Sequence, residues 1–238
     1  MTDVRAYNFS AGPAMIPIEV LETAQAELLE WRGGMSVLEV SHRGADFAAC
    51  AAETEQRLRQ VAGVPDNYRV LFLQGGAFGQ FSAVPLNLTV PGDRVGFIKT
   101  GQWGAKAIGE AGNLGLRVDV VADQAESNYT TVPDPQQIEV NPLAAYAHYT
   151  PNETIGGVEF GYVPVTGDVP LVADYSSTIL SRPLDVAAHG VIYAGTQKNM
   201  GPAGMAVVFV RDDLLGRARP GTPSIWNYQL MAKADSML

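Results

Sequence analysis

Residues 191–210 read VIYAGTQKNMGPAGMAVVFV, two apolar runs around a polar turn that has Lys198 at its centre. Apolar runs bounded by Gly and Pro are typical of buried strands, so Lys198 is predicted to project from the end of a core strand. Desolvation there lowers the pKa of an amine and suits it to act as a nucleophile or Schiff-base partner. The alternative is a turn residue whose amine reaches water.

Outward from this stretch, strand and helix patterns alternate along the chain. Strands are predicted at 68–73, 94–99, 116–121, 143–149 and 170–173, and helices at 75–88 and 102–111. Such alternation predicts βαβ units, and hence an α/β fold with a mostly parallel sheet sandwiched by helices. The carboxyl ends of the strands then share one edge, where ligands of open α/β sheets bind.

The regions at the two ends of the chain show weaker patterns. Residues 7–15 are predicted to be irregular, an amphipathic helix is predicted from Pro17 to the glycines at 33–34, and a second helix with Cys50 on its apolar face ends at Gly63. The tail from Arg217 is predicted to be irregular and to contain no helix. We therefore expect residues 1–15 to form an irregular N-terminal segment and residues 16–238 to form one large domain.

The composition excludes several classes of function. The net charge of −9 opposes binding to nucleic acid and to anionic membranes, so an anionic small molecule needs a local cationic pocket. The single cysteine excludes a disulfide framework within the chain. Residues 70–92 are uncharged, but they contain too many Gly, Gln and Pro residues to form a membrane span. The histidines match no zinc spacing, so no metal is expected. We expect a soluble, cytoplasmic protein.

Other strand ends carry residues that complement Lys198. Asp174 ends one apolar run, Gly75-Gly76 opens a helix, and Trp103 lies at a strand-to-helix junction. A pyridoxal phosphate (PLP) site needs a lysine for the aldehyde, a carboxylate for the ring nitrogen and backbone donors for the phosphate, and an indole can stack on the ring. The structural alternatives are a helix cap for Asp174, a tight turn for the glycines and a core position for Trp103.

Five motifs occur together in an order that resembles one known family. They read NFSAGPA at 8–14, EVSHRG at 39–44, PNETI at 151–155, ADYSS at 173–177 and YAGTQKNMGPAG at 193–204. In this order and spacing they resemble the phosphoserine aminotransferases, which belong to class V within PLP fold type I. The resemblance implies the large domain of that fold, PLP as cofactor, and a homodimer with its sites near the subunit interface.

The resemblance also implies a reaction and a set of site residues. An amino group would pass from L-glutamate to 3-phosphohydroxypyruvate, giving O-phospho-L-serine and 2-oxoglutarate in serine biosynthesis; several bacterial members also process 4-phosphohydroxythreonine in PLP synthesis. Lys198 and Asp174 would be catalytic. The implied cofactor-binding residues are Lys198, Asp174, Trp103, Thr154, Gln197, Ala77 and Phe78, and the implied substrate-binding residues are His42 and Arg43.

Two departures from the family pattern leave alternatives open. Phe78 stands where the family motif GGGRGQF has its arginine, and the chain ends at Leu238, before the family's small C-terminal domain. One alternative is a PLP-binding, dimerising module without turnover. Another is a class-V aminotransferase with a different substrate.

Overall fold

The computed structural model describes residues 5–238, and within them a seven-stranded sheet is accompanied by five α-helices. In chain order the elements are α1 (Ile18–Ala26), α2 (Ala45–Ala62), β1 (Tyr68–Gln74), α3 (Gly76–Leu88), β2 (Arg94–Lys99), α4 (Gln102–Asn113), β3 (Arg117–Asp123), β4 (Ala147–Tyr149), β5 (Leu171–Asp174), β6 (Val191–Gly195), β7 (Met205–Arg211) and α5 (Tyr228–Lys233). The predicted α/β class with a mostly parallel sheet is confirmed.

One strand of the sheet runs against the others. The strand order is β1-β7-β6-β5-β4-β2-β3; β2 to β6 pair in parallel, whereas β7 is antiparallel to both β6 and β1. A connection of only residues 196–204 joins β6 to β7, and a link this short returns the chain antiparallel, because a parallel crossover needs a dozen or more residues. The turn that carries Lys198 therefore lies at the carboxyl edge of the parallel strands.

Alternation along the strands gives the sheet two buried faces. Val191, Tyr193 and Val208 point to the side covered by α3 and α4, while Ile192 and Phe209 point to the opposite side. The second side is covered by the end of α2 and by irregular segments that include residues 138–144 and 160–163. With both faces covered, the central strands β4, β5 and β6 are buried at every position.

The two predicted N-terminal helices form, but the first is shorter than predicted. It ends at Ala26 instead of at the glycines 33–34, and none of residues 18–26 is buried. Leu29, beyond its end, is 85% exposed. Within the described part of the chain, no element buries the apolar residues of this helix. Tertiary packing therefore does not stabilise further helical turns. The second helix ends as predicted, with Gly63 in the left-handed conformation, but Cys50 is only partly buried.

The prediction of an irregular tail is wrong at one place, because α5 forms at Tyr228–Lys233. Asn227 caps this helix by accepting a hydrogen bond from the Leu230 N–H. Tyr228 is buried and donates its hydroxyl hydrogen bond to Gln80 on α3. The helix is therefore stabilised by a cap and by tertiary contacts.

The uncharged stretch 70–92 forms most of β1 and all of α3, which pack within the domain. Of the helices described between residues 5 and 238, none has the length and apolar character needed to cross a membrane.

Candidate active site

A cavity of about 670 Å³ lies at the carboxyl edge of the parallel strands. Its walls come from the segments that follow β1, β2, β4, β5 and β6, together with residues 11–13. The predicted site residues that line it are Ala77, Phe78, Trp103, Thr154, Asp174, Gln197 and Lys198. Residues from distant parts of the chain thus meet where ligands of α/β sheets bind.

Lys198 is half-buried, and two hydroxyls hold its amine inside the cavity. Its Nζ donates to Thr154 Oγ1 at 2.5 Å and to Ser177 Oγ at 3.1 Å. The two hydroxyl oxygens lie 2.7 Å apart. Burial lowers the pKa of Lys198, although the charges of Asp174 and Glu153 act in the opposite direction. The amine therefore loses its proton more readily than an ordinary lysine.

Asp174 supplies a buried carboxylate to the same cavity. Its Oδ1 accepts hydrogen bonds from the Ser176 N–H at 3.0 Å and the Ser176 hydroxyl at 2.5 Å. The Ser176 hydroxyl oxygen in turn accepts from the Gly195 N–H at 2.9 Å, which links the ends of β5 and β6. Burial raises the pKa of Asp174, while the Ser176 hydrogen bonds and the Lys198 charge lower it. The chain enters a turn after Asp174, so the helix-cap alternative is wrong.

Trp103 is held at the cavity wall by a residue that the sequence reasoning missed. Glu153 is buried, and its Oε2 and Oε1 accept hydrogen bonds from the N–H groups of Trp103 and Gly104, both at 2.9 Å. The Lys198 Nζ lies 5.5 Å from the centroid of the Trp103 ring. The sequence contains one indication of such a residue. Helix α4 follows Gly101, which has no side chain for capping, so the free N–H groups of the helix need an acceptor from another segment.

We expect Gly101→Ala to destabilise the fold by about 2–3 kcal/mol, because overpacking is added to the loss of charge-assisted hydrogen bonds. A Cβ at this position would lie 2.6 Å from Glu153 Cδ, so the carboxylate would have to leave the start of α4. The measurement is urea unfolding. Gly109→Ala is the matched control on the same helix, because its Cβ would meet nothing within 4 Å. Equal stability of Gly101→Ala and wild type would contradict the prediction.

The start of α3 forms a second wall of the cavity. Gly75 and Gly76 have φ of 88° and 57°, a left-handed conformation that lets the chain pass directly from β1 into the helix. The N–H groups of Gly76, Ala77 and Phe78 are the first of the helix and have no acceptor within it. These groups and the positive end of the helix suit an anion. Gln197 also lines the cavity.

The mouth of the cavity has an aromatic rim. The Phe78 side chain is 53% exposed and packs edge-on against Trp103, with ring centroids 6.1 Å apart. Lys106 lies over both rings, its Nζ 5.2 Å from the Phe78 centroid and 4.2 Å from the Trp103 centroid. A cation therefore lies next to the entrance although Phe78 itself carries no charge.

The N-terminal segment closes another side of the cavity. Ala14 N–H donates to the Gln197 carbonyl at 2.8 Å, which docks the segment onto the lysine turn. A Cβ on Gly12 would lie 2.9 Å from Lys198 Cγ, so the backbone there runs directly against the lysine stem. This contact limits the positions that the lysine side chain can take.

The structure does not bring His42 and Arg43 to this cavity. Both are exposed and line a separate cavity of about 470 Å³ with Glu55 and Phe72. Among residues 5–238, no cluster of three or more His, Cys, Asp or Glu side chains is arranged to hold a metal ion.

Comparisons with known proteins identify the family of the chain. The family model described as aminotransferase class-V matches residues 6–228. A curated phosphoserine aminotransferase from Hahella chejuensis is 54% identical over 98% of this chain. Another from Pseudomonas aeruginosa (strain LESB58) is 55% identical over the same share. The chain spans 65% and 64% of the lengths of these two relatives.

Solved structures give the same family likeness. A phosphoserine aminotransferase from Bacillus circulans subsp. alkalophilus superimposes with a TM-score of 0.94 at 46% identity, covering 98% of this chain and 64% of that one. A PLP-bound phosphoserine aminotransferase from Trichomonas vaginalis superimposes with a TM-score of 0.91 at 43% identity, covering 98% and 66%.

Proposed function

The chain belongs to the class-V aminotransferase family, and we propose that it carries out PLP-dependent transamination between L-glutamate and 3-phosphohydroxypyruvate. The products are O-phospho-L-serine and 2-oxoglutarate, and 4-phosphohydroxythreonine is proposed as a second substrate. The observation that carries the proposal is the placement of the Lys198 amine and the buried Asp174 carboxylate on one cavity. The relatives named phosphoserine aminotransferase support this choice of substrate.

The residues present fit PLP. The two Ser176 donors reach only Oδ1 of the buried Asp174 carboxylate, and a buried anion still favours a cationic partner, which the protonated ring nitrogen of PLP would supply. The free N–H groups at the start of α3 and the side chain of Gln197 suit the phosphate. Trp103 offers an aromatic face for the ring, and Thr154 a hydroxyl for its polar edge. The PLP-bound relative from Trichomonas vaginalis supports the same cofactor.

When bound, PLP supplies an electron-withdrawing ring that acidifies the C–H bond next to the substrate nitrogen. Asp174 would keep the ring nitrogen protonated, because its carboxylate lies in a desolvated site where a charged partner interacts strongly. Lys198 would hold the cofactor through Nζ, and the same nitrogen would accept and return a proton. The burial that lowers the pKa of Lys198 increases the fraction of neutral amine available for this transfer.

The walls of the cavity orient the reacting groups and exclude water. Thr154 and Ser177 hold the Nζ of Lys198 on one side, and the packed backbone at Gly12 limits movement of its stem. Trp103 closes the wall next to the amine. Such preorganisation lowers the entropic cost of bringing the amine, the ring and the substrate into line.

We also propose that the protein forms a homodimer. Large apolar side chains of the segment 7–38 are exposed, which is unusual for a monomer and marks an interaction surface. These exposed residues are Tyr7, Phe9, Met15, Ile18, Val20, Leu21, Leu28, Leu29, Met35 and Leu38. His42 and Arg43 follow this surface and are exposed, so we propose that they bind the anionic end of the substrate at the site of a second copy.

Phe78 favours one alternative, a class-V aminotransferase that acts on an unphosphorylated substrate. The ring is exposed at the cavity mouth, in the position where the family pattern has an arginine. An apolar group there gives no direct hydrogen bond to a phosphate. The nearby Lys106 partly offsets this loss of charge.

The test is to incubate the protein with PLP, reduce it with borohydride and map the labelled peptide. We expect the label on Lys198, because it is the amine that lies inside the cavity. Coupled turnover is then measured with phosphoserine and 2-oxoglutarate, and with a panel of unphosphorylated amino acids. Label at another lysine would overturn the cofactor site. Label at Lys198 without turnover of any substrate would favour the non-catalytic PLP-binding module.

A further inference from the structure

The Glu153 side chain joins two parts of the site that are separate in the sequence. Each of its carboxylate oxygens accepts one N–H at the start of α4, from Trp103 and from Gly104. The next residue, Thr154, accepts a hydrogen bond from the Lys198 amine. One short segment therefore contacts both the aromatic wall and the reactive nitrogen.

The segment that carries Glu153 is itself held rigidly. Glu153 N–H donates to the Val158 carbonyl at 2.9 Å, and Gly157 N–H donates to the Glu153 carbonyl at 2.7 Å. Phe160 N–H donates to the Pro151 carbonyl at 2.8 Å, which closes the loop at its base. With its backbone fixed in this way, the position of the carboxylate determines where α4 begins.

The hydrogen-bond pattern favours a charged carboxylate. Both oxygens face N–H donors, and an amide in the same place would turn its NH₂ group towards one of them. Burial raises the pKa of Glu153, and the N–H groups of Gly104 and Trp103 and the Lys198 charge oppose this rise without cancelling it. The positive end of α4 also stabilises the anion.

We propose that Glu153 is a positioning residue: its carboxylate fixes Trp103 and Thr154 around the Lys198 amine and gives that amine a second buried negative charge besides Asp174. The charges of these two carboxylates raise the pKa of the Lys198 amine and so oppose the effect of burial. Lys106, on α4, lies over the Trp103 ring. Removing the Glu153 charge leaves the cationic form of the lysine nitrogen less stabilised. We rest this inference on the proposed binding of PLP at Lys198.

The test uses PLP-reconstituted wild type and the variants Glu153→Gln and Glu153→Asp. The readouts are the pH midpoint of the visible absorbance of the bound cofactor, the hydrogen exchange of the Trp103 and Gly104 amides, and thermal unfolding. For Glu153→Gln we expect the midpoint to fall by about one pH unit, because a unit charge near the nitrogen is lost, and exchange to become faster. For Glu153→Asp we expect a midpoint near that of wild type but faster exchange, because the charge remains while the shorter side chain cannot reach both donors.

Glu110→Gln is the matched control, because Glu110 is on the same helix, outside the cavity, and contacts Ser82. We expect it to leave the midpoint and the exchange of both amides unchanged. A folded Glu153→Gln protein with the wild-type midpoint would overturn the proposal. If Glu153→Gln does not fold, unchanged exchange in Glu153→Asp would overturn it. Wild type without label at Lys198 would instead reject the proposed function, so the two failures are distinguishable.

Discussion

Lys198→Ala is expected to abolish covalent retention of PLP and to lower transamination at least about 10⁴-fold, because both the covalent anchor and the proton-transferring nitrogen are removed. The structure identifies no second amine in contact with Thr154 and Ser177 among the residues it describes. Retention is measured as label incorporated after borohydride reduction, and activity as coupled turnover with phosphoserine.

The fold is expected to tolerate this change. The Thr154 and Ser177 hydroxyls already lie 2.7 Å apart and can remain paired without the amine. Removal of a partly desolvated charge also offsets part of the lost packing around the lysine stem. Lys233→Ala is the control, because Lys233 is exposed at the end of α5. Stoichiometric label in a folded Lys198→Ala protein would show that another residue carries the cofactor.

Asp174→Asn is expected to lower transamination by about 10²–10⁴-fold, which corresponds to loss of about 3–5 kcal/mol when one partner of a buried ion pair is removed. Asparagine preserves the shape and can still accept the Ser176 hydrogen bonds, but it cannot balance a protonated ring nitrogen. The measurement is the rate of the half-reaction with phosphoserine, followed by the absorbance of the cofactor. Asp168→Asn, at an exposed position, is the control. A wild-type rate in Asp174→Asn would reject the role of Asp174 at the ring nitrogen.

The same substitution is expected to stabilise the cofactor-free protein at neutral pH. Because burial raises the pKa of Asp174 in the folded state, ionisation destabilises the fold at a pH above the folded pKa. The cost is absent below the unfolded pKa of Asp174. It grows as the pH rises from the unfolded to the folded pKa, and it is constant above the folded pKa. The difference in the free energy of unfolding between variant and wild type should therefore vanish in acid and grow as the pH rises towards neutral. A variant less stable than wild type at pH 7 would contradict this expectation.

Local sequence patterns predicted the elements whose stability comes from apolar alternation. The strand at 94–99 forms at Arg94–Lys99, and the helix at 102–111 forms at Gln102–Asn113. The reversed direction of β7 was not predicted, although the short connection after β6 requires it. The helix α1 was predicted to be too long because the exposed apolar residues near Leu29 imitate the spacing of a buried face.

Contacts between distant residues limited what could be predicted about the site. The motif that contains Glu153 was recognised, but the contact of this side chain with α4 depends on how two loops meet in space. The same limit applies to α5, which depends on Tyr228 reaching Gln80. The pattern around His42 and Arg43 gave their residue types but not which cavity they line.

The strand order also has a consequence for synthesis of the chain on the ribosome. Strand β7 lies between β1 and β6 in the sheet, and it pairs with β1 from Tyr68 opposite Arg211 onwards. A nascent chain that has not yet produced β7 exposes the open edges of both neighbours, which are sites for intermolecular pairing. The loop that joins β6 to β7 becomes anchored on both sides only when β7 docks. We therefore expect capture of the proposed cofactor to follow synthesis of β7, and the earlier intermediates to have the greatest need of chaperones.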